Sequence, residues 1–283
     1  MAKILVCVDG SVYADNICAN AAWIAKKIDA EISLLHVLRR HSDYEAPTNH
    51  TGTIGLGARS FLMEELTKVD EERGRLDQQK GQIILNHCAE VLKEAGIENV
   101  EQIYRRGSLV ETIQDLESEV DLILVGKRGE QANLESEFLG SNLEKVARVV
   151  NKPLLVVSSV VKPIQKFLIA YDGKDSVKKG IDYVTSQPLL KGLECHLLAV
   201  EYSENDLDVK EVESKLKTAG FNVIIKKEVS SHPDQVITDY VKSEEIDLLI
   251  TGAYSHSRMR SILLGSTTAS LVKSCKIPLI LFR

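Results

Sequence analysis

A basic surplus is missing from this chain: 41 acidic residues stand against 35 lysines and arginines, for a net charge of −6. A protein that tracks nucleic-acid phosphates wants a clustered basic face, so no nucleic-acid partner is expected; a small anion held at one local site stays open. Paired cysteines are missing too. The five are Cys7, Cys18, Cys88, Cys195 and Cys275, an odd number with no C-x-x-C. That argues against a disulfide framework and reads as reduced thiols in a cytoplasmic protein. No long apolar run exists. Pro153 to Val161 is broken by two serines and falls far short of the roughly 20 residues that span a bilayer, so no membrane partner is expected. The start, MAKILVCVDGS, lacks the basic and apolar regions of a signal peptide. His87-Cys88 and Cys195-His196 are adjacent pairs. Neighbours on a helix or strand diverge in direction, so neither chelates a metal alone, and no metal is required.

What is present is a repeat. The chain has 283 residues, enough for two domains at roughly 100–200 residues each. Lys3-Ile-Leu-Val-Cys-Val-Asp9-Gly returns 163 residues later as Lys166-Phe-Leu-Ile-Ala-Tyr-Asp172-Gly. Glu31-Ile-Ser-Leu-Leu-His-Val37 returns at the same spacing as Glu194-Cys-His-Leu-Leu-Ala-Val200. Asp121-Leu-Ile-Leu-Val-Gly126 returns 126 residues later as Asp247-Leu-Leu-Ile-Thr-Gly252. Leu139-Gly140-Ser141 and the strand led by Pro153 return 125 residues later, at Leu264-Gly265-Ser266 and Pro278. The falling spacing places a net 37-residue insertion in the first half, mostly between 40 and 81. It opens as a Ser/Thr/Asn/Gly-rich loop and turns Glu/Lys/Arg-rich and helical. Domains at 1–159 and 164–283 follow, joined by the short stretch Ser158–Gln165.

Within each half, short Ile/Leu/Val runs alternate with amphipathic stretches. Lys3–Val8, Ile32–Leu38, Val100–Tyr104, Leu122–Val125 and Leu154–Val157 read as buried strands. Asp15–Ile28, Gln82–Ala95, Val110–Glu119 and Leu143–Val150 read as helices. Strands apolar on both faces and separated by helices predict a parallel sheet covered on both sides. The fold class is therefore α/β: two tandem Rossmann-like domains, each a parallel five-stranded sheet with helices on both faces.

In such sheets a ligand sits beyond the carboxyl ends of the strands. Three repeated features fall there: Asp9 or Asp172 ending the first strand, Gly126-x2-Gly129 or Gly252-x2-Ser255 after the fourth, and Gly140-Ser141 or Gly265-Ser266 opening the last helix. Glycine lets backbone amides approach an anion closely, and a helix start offers unpaired N–H groups. Bland readings stand beside this one. Ser141 or Ser266 can be an N-cap, and Asp9 can cap the next helix. A phospho-accepting Asp9 is disfavoured, because Asp121 begins its strand and no acidic cluster forms at the strand ends.

The order of these blocks resembles the universal stress protein (UspA-like) domain, twice over nearly the whole chain, as in the UspE-type two-domain members of that family. The resemblance implies an adenine nucleotide alpha hydrolase-like fold and the ATP signature Gly-x2-Gly-x9-Gly-Ser/Thr. Carried over, it implies nucleotide contacts from Asp9, Val37, Gly126, Gly129, Gly140 and Ser141 in the first half. In the second half it implies Asp172, Val200, Gly252, Ser255, Gly265, Ser266 and Thr267. The first-half spacer, Glu130 to Leu139, is one residue too long and carries Glu130, Glu135 and Glu137, whose charges oppose a polyphosphate. The second-half spacer has nine residues, with His256, Arg258 and Arg260, but Ser255 replaces a glycine. If that position needs φ > 0, serine costs on the order of 1 kcal/mol.

The expected function is a cytoplasmic stress-response protein that binds ATP, AMP or a related phosphate ligand in a regulatory role. The alternative is a nucleotide-free scaffold whose insertion recruits a protein partner. No nucleophile–base–orienter set recurs, so no catalytic residue is assigned; the chain is expected not to be an enzyme, with weak ATP hydrolysis at most. The family's last strand pairs across a dimer axis, which implies that Pro153–Val157 and Pro278–Phe282 pair within one chain as a pseudo-dimer. Further homodimer formation is left open.

Overall fold

The structure, a computed structural model, describes residues 1–38, 56–129, 141–158, 162–201, 207–253 and 265–283; for residues 56–62 and Ser141 it describes the backbone alone. In the first half the elements run β1 (Ala2–Cys7), α1 (Ala14–Ile28), β2 (Ala30–Leu38), α2 (Leu56–Glu94), β3 (Val100–Arg106), α3 (Leu109–Leu116), β4 (Leu122–Gly126), α4 (Ser141–Val149) and β5 (Leu154–Val157). The second half repeats them as β6 (Lys166–Tyr171), α5 (Asp175–Ser186), β7 (Glu194–Glu201), α6 (Lys210–Thr218), β8 (Val223–Val229), α7 (Pro233–Ser243), β9 (Leu248–Gly252), α8 (Ser266–Ser274) and β10 (Leu279–Phe282). Among described residues the predicted elements are all present with shifted ends. The last part of the predicted third helix is a separate 3-10 turn, Glu117–Glu119. The helical part of the insertion is continuous with the next predicted helix, giving α2 its 39 residues.

The ten strands among the described residues form one sheet, ordered β3-β2-β1-β4-β5-β10-β9-β6-β7-β8. Within each half every pairing is parallel. The single antiparallel junction lies at the centre, where Leu154, Leu155 and Val156 of β5 face Leu281, Ile280 and Leu279 of β10. Both strands are wholly apolar and buried. Side by side they cover two sheet edges that would otherwise template pairing with another chain.

Two hydrophobic layers flank the sheet. Ile17, Leu85, Val177 and Leu216 bring α1, α2, α5 and α6 onto one face. Ile113, Val146, Ile237 and Leu271 bring α3, α4, α7 and α8 onto the other. Strand residues alternate between them: Ile4 and Val6 join the first layer and Leu5 and Cys7 the second, as the two-residue period of a strand requires. The repeated Asp121 and Asp247 lie at the opposite edge from the strand ends. Each accepts from an amide at the start of the first strand of its half, Lys3 at 3.0 Å and Lys166 at 3.0 Å. Their recurrence is a sheet-edge fastening.

The halves also grip each other through cations. Lys127, which follows β4, donates to the carbonyls of Lys273 (2.8 Å) and Cys275 (2.9 Å) at the carboxyl end of α8. Arg283, which follows β10, donates to the carbonyl of Val149 at 3.0 Å, the last residue of α4. Both place positive charge on a helix terminus that carries partial negative charge.

Burial of the Lys127 ammonium holds its pKa well below the usual lysine range, at about 8; the Cys275 thiol opposes the shift and the Arg128 charge adds to it. Between that value and the ordinary 10.5 the unfolded chain binds more protons, so stability rises with pH. The cost of burying the cation is complete below about pH 8 and is relieved above it. The neutral amine keeps two N–H donors, enough for both carbonyls. In urea unfolding, the wild-type chain is therefore expected to gain stability relative to Lys127→Met as the pH rises from about 7.5 to 9.5. A constant difference, or one that moves the other way, contradicts this assignment.

Candidate functional site

Chain direction creates the crevices. In the first half the path runs outward from β1 to β2 and β3, then returns to the other side of β1 with β4 and β5. The switch point lies between β1 and β4, where the connections leave in opposite directions and open a cleft above the carboxyl ends. Its counterpart lies between β6 and β9. The central junction is antiparallel, so the two crevices open on opposite edges of the sheet.

Asp9, Val37 and Gly126 come together around the first crevice, at the ends of the adjacent strands β1, β2 and β4. Asp9 does not cap α1. Its Oδ1 accepts from the Ser11 amide at 3.0 Å, and the N-cap of α1 is Tyr13, with no side-chain cap. Gly129 folds back over this carboxylate: a Cβ on it would lie 3.1 Å from Asp9 Oδ2. Gly140 lies outside the described residues. Ser141 is the first residue of α4.

The second crevice gathers Asp172, Val200, Gly252, Gly265, Ser266 and Thr267. The turn after β6 uses Gly173 at φ 74°, where Asp172 Oδ1 accepts from the Lys174 amide and Oδ2 pairs with Lys174 Nζ at 3.3 Å. Val200 is half-buried near the end of β7. The Gly265 amide donates to the Ala253 carbonyl at 3.1 Å, tying the start of α8 to the end of β9. Gly265 is itself the N-cap of α8, with no side-chain cap. Ser266 is therefore an exposed first-turn residue, and the N-cap reading does not hold for it. Ser255 lies outside the described residues, as do Glu130, Glu135, Glu137, His256, Arg258 and Arg260.

The glycines act through space rather than through φ. Neither Gly126, Gly129, Gly252 nor Gly265 has a positive φ. The penalty expected for serine in a left-handed conformation therefore finds no support at Gly129, the first-half counterpart of Ser255. Gly252 has a steric reason: a Cβ there would lie 2.2 Å from Ser176 Oγ in the first turn of α5. That hydroxyl is buried and has no partner among the described residues. Thr268 Oγ1 donates to the Gly252 carbonyl at 2.7 Å.

Sequence reasoning missed several residues at these edges. Glu201, next to Val200, is buried with its carboxylate held by Lys227 Nζ (3.2 Å) and the Leu207 amide (3.2 Å). Its first-half counterpart is Leu38, so nothing in the repeat marks it. Lys127 lies inside Gly126-x2-Gly129 but turns toward the other half. His36, where the second half has Ala199, is buried and bonds the Val8 carbonyl through Nδ1 at 2.9 Å.

All five thiols are free and buried. Burial pushes Cys7 and Cys195 up to about 12. His87 pairs with Asp15 at 2.8 Å. His196 lies between Tyr240 Oη (2.8 Å) and Glu194 (2.9 Å). Among the described residues no group of three or more His, Cys, Asp or Glu side chains is placed to hold a metal, and no helix is long and apolar enough to cross a membrane.

Comparison with known proteins agrees with this architecture. The model of the universal stress protein family matches residues 1–158 and 196–283. A universal stress protein of Synechocystis sp. is 35% identical over 289 aligned residues, covering the whole of both chains. Universal stress protein YxiE of Bacillus subtilis is 32% identical over 157 residues, 55% of this chain and 97% of its own. Among solved structures, a universal stress protein from Archaeoglobus fulgidus superimposes with a TM-score of 0.69 at 20% identity, over 99% of this chain and 98% of that one. The chain belongs to the universal stress protein family.

Proposed function

We propose that this chain is a regulatory protein that binds an adenine nucleotide, or a related phosphate ligand, in the crevice of its second half. One observation carries the reading: α8 starts at the switch-point crevice with a glycine N-cap and no side-chain cap. Gly265 brings no side-chain oxygen of its own to that end of α8, where the first amides and the helix dipole favour an anion. Exposed Ser266 supplies a hydroxyl beside them. Asp172 and Val200 stand on the neighbouring strand ends, the positions that the family resemblance assigns to the base. Arg258 and Arg260 in the adjoining loop sequence suit an anion. The first crevice is the weaker site, since Glu130, Glu135 and Glu137 stand in its loop sequence.

A second reading, a nucleotide-free scaffold, draws on two features. The long α2 is a ready surface for a partner, and the Glu201 carboxylate sits next to Val200. No catalytic role is proposed for any residue.

Native mass spectrometry of the purified chain separates the readings. ATP or AMP is expected to co-purify and to be lost in Gly265→Asp, which sets a carboxylate at the helix start. At about 100 times the dissociation constant, added ATP should stabilise the fold by ~2.7 kcal/mol. Clean apo protein, with no thermal shift in millimolar ATP, would favour the scaffold. Phosphate release from ATP that disappears in Gly265→Asp would overturn the non-enzymatic reading.

The floor of this crevice has its own test. Gly252→Ala is expected to destabilise the chain by about 1–3 kcal/mol through overpacking against Ser176. Ser176→Ala alone should be neutral or stabilising, since it removes a buried hydroxyl without a described partner. It should also recover part of the loss in the double variant. Equal losses in the single and double variants, measured by urea unfolding, would refute the contact.

A further inference from the structure

The inserted helix carries an apolar row that is exposed among the described residues. α2 has 39 residues and its second-half counterpart α6 has nine. The side of α2 toward the sheet is accounted for by buried Leu85, Cys88 and Leu92, by Gly81 packed against Tyr104 and His36, and by Arg106 donating to the Gly74 carbonyl at 2.9 Å. The other side is not. Five of the nine exposed large hydrophobic residues in the described chain lie on this one helix: Met63, Leu66, Val69, Leu76 and Ile83. N-terminal to Gly74 the described side chains, Met63 to Arg73, are exposed apart from half-buried Glu65.

Val69, Leu76 and Ile83 recur every seven residues, so they form one row along the helix, facing away from the sheet. At about 100° per residue, Arg73 and Lys80 flank the row on one side, with Asp70 and Asp77 beyond them. Glu65 and Glu72 flank it on the other, with Lys68 and Arg75 beyond. Each side thus carries the opposite sign of the other at the same distance from the row. A two-fold axis parallel to the helix brings the first side of one copy against the second side of its mate. Every inner and outer pair is then attractive. An antiparallel arrangement sets like against like. Lys68 already pairs with Glu64 and Glu65 within its own helix at 3.1 and 2.9 Å; exposed pairs of this kind are weak and readily exchanged. The described sheet contacts of α2 lie on the side opposite the row.

We propose that α2 is a homodimerisation surface, pairing in parallel with α2 of a second copy along the Val69–Leu76–Ile83 row. The apolar row supplies the affinity and the flanking charges fix the direction.

Sedimentation velocity of the full chain tests this, with a dimer expected at ~100 µM. Leu76→Glu should give a monomer at that concentration with unchanged far-UV circular dichroism, because the position is exposed. Glu72→Arg and Arg73→Glu should each weaken the dimer roughly tenfold, and the double reversal should restore it. Under mild oxidation Leu76→Cys should give a disulfide-linked dimer joined through position 76 of both copies, since a parallel axis sets that position opposite itself. A monomeric wild-type chain overturns the proposal. So does a dimer that survives Leu76→Glu, or one in which Leu76→Cys fails to cross-link.

Discussion

Four residues of β5 and four of β10 meet at the centre of the sheet, all apolar and all buried, and they run in opposite directions. Much of the remaining architecture follows from that antiparallel contact. Each half alone would present a short, hydrophobic, unpaired edge. Joined, the two edges vanish and ten strands share one sheet with two continuous apolar layers. The reversal also throws the two crevices to opposite edges. It sets the carboxyl end of each half's last helix beside the strand ends of the other half, where Lys127 and Arg283 find their carbonyls.

The same geometry separates the roles of the duplicated residues. Asp121 and Asp247 are fixed by backbone pairing at the amino edge and are not free for chemistry. Asp9 and Asp172 follow strands at the carboxyl edge and accept from turn amides there. Around the second cleft the glycines shape contacts rather than unusual dihedrals. Gly252 lets the first turn of α5 approach β9, and Gly265 is an N-cap with no side chain of its own. A helix start at a switch point has amides that its N-cap glycine cannot meet with a side chain and that favour an anion. That physical fact links the architecture to the proposed nucleotide role.

The strand and helix pattern was legible in the sequence because buried parallel strands are runs such as Lys3–Val8, and the blocks recur in order. Membership of the family was legible for the same reason. Less could be read where partners lie far apart along the chain. Lys127 reads as one basic residue in a glycine loop, yet its partners are at Lys273 and Cys275. Ser176 gives no hint that it fills the space beside Gly252. Glu201 has no repeated counterpart, because Leu38 stands in its place. The continuity of α2 was hidden by Gly74 and Gly81, which lower helix propensity; Gly81 permits the close approach of Tyr104 and His36.

Native-state hydrogen exchange measures the central contact most directly. If the β5–β10 pair holds the two halves together, the amides of Leu154, Val156, Leu279 and Leu281, which face the seam, exchange only through global unfolding and share one free energy of opening. Rapid, sub-global exchange at these amides, with β1 and β6 still protected, would show that the halves open independently and would contradict the account.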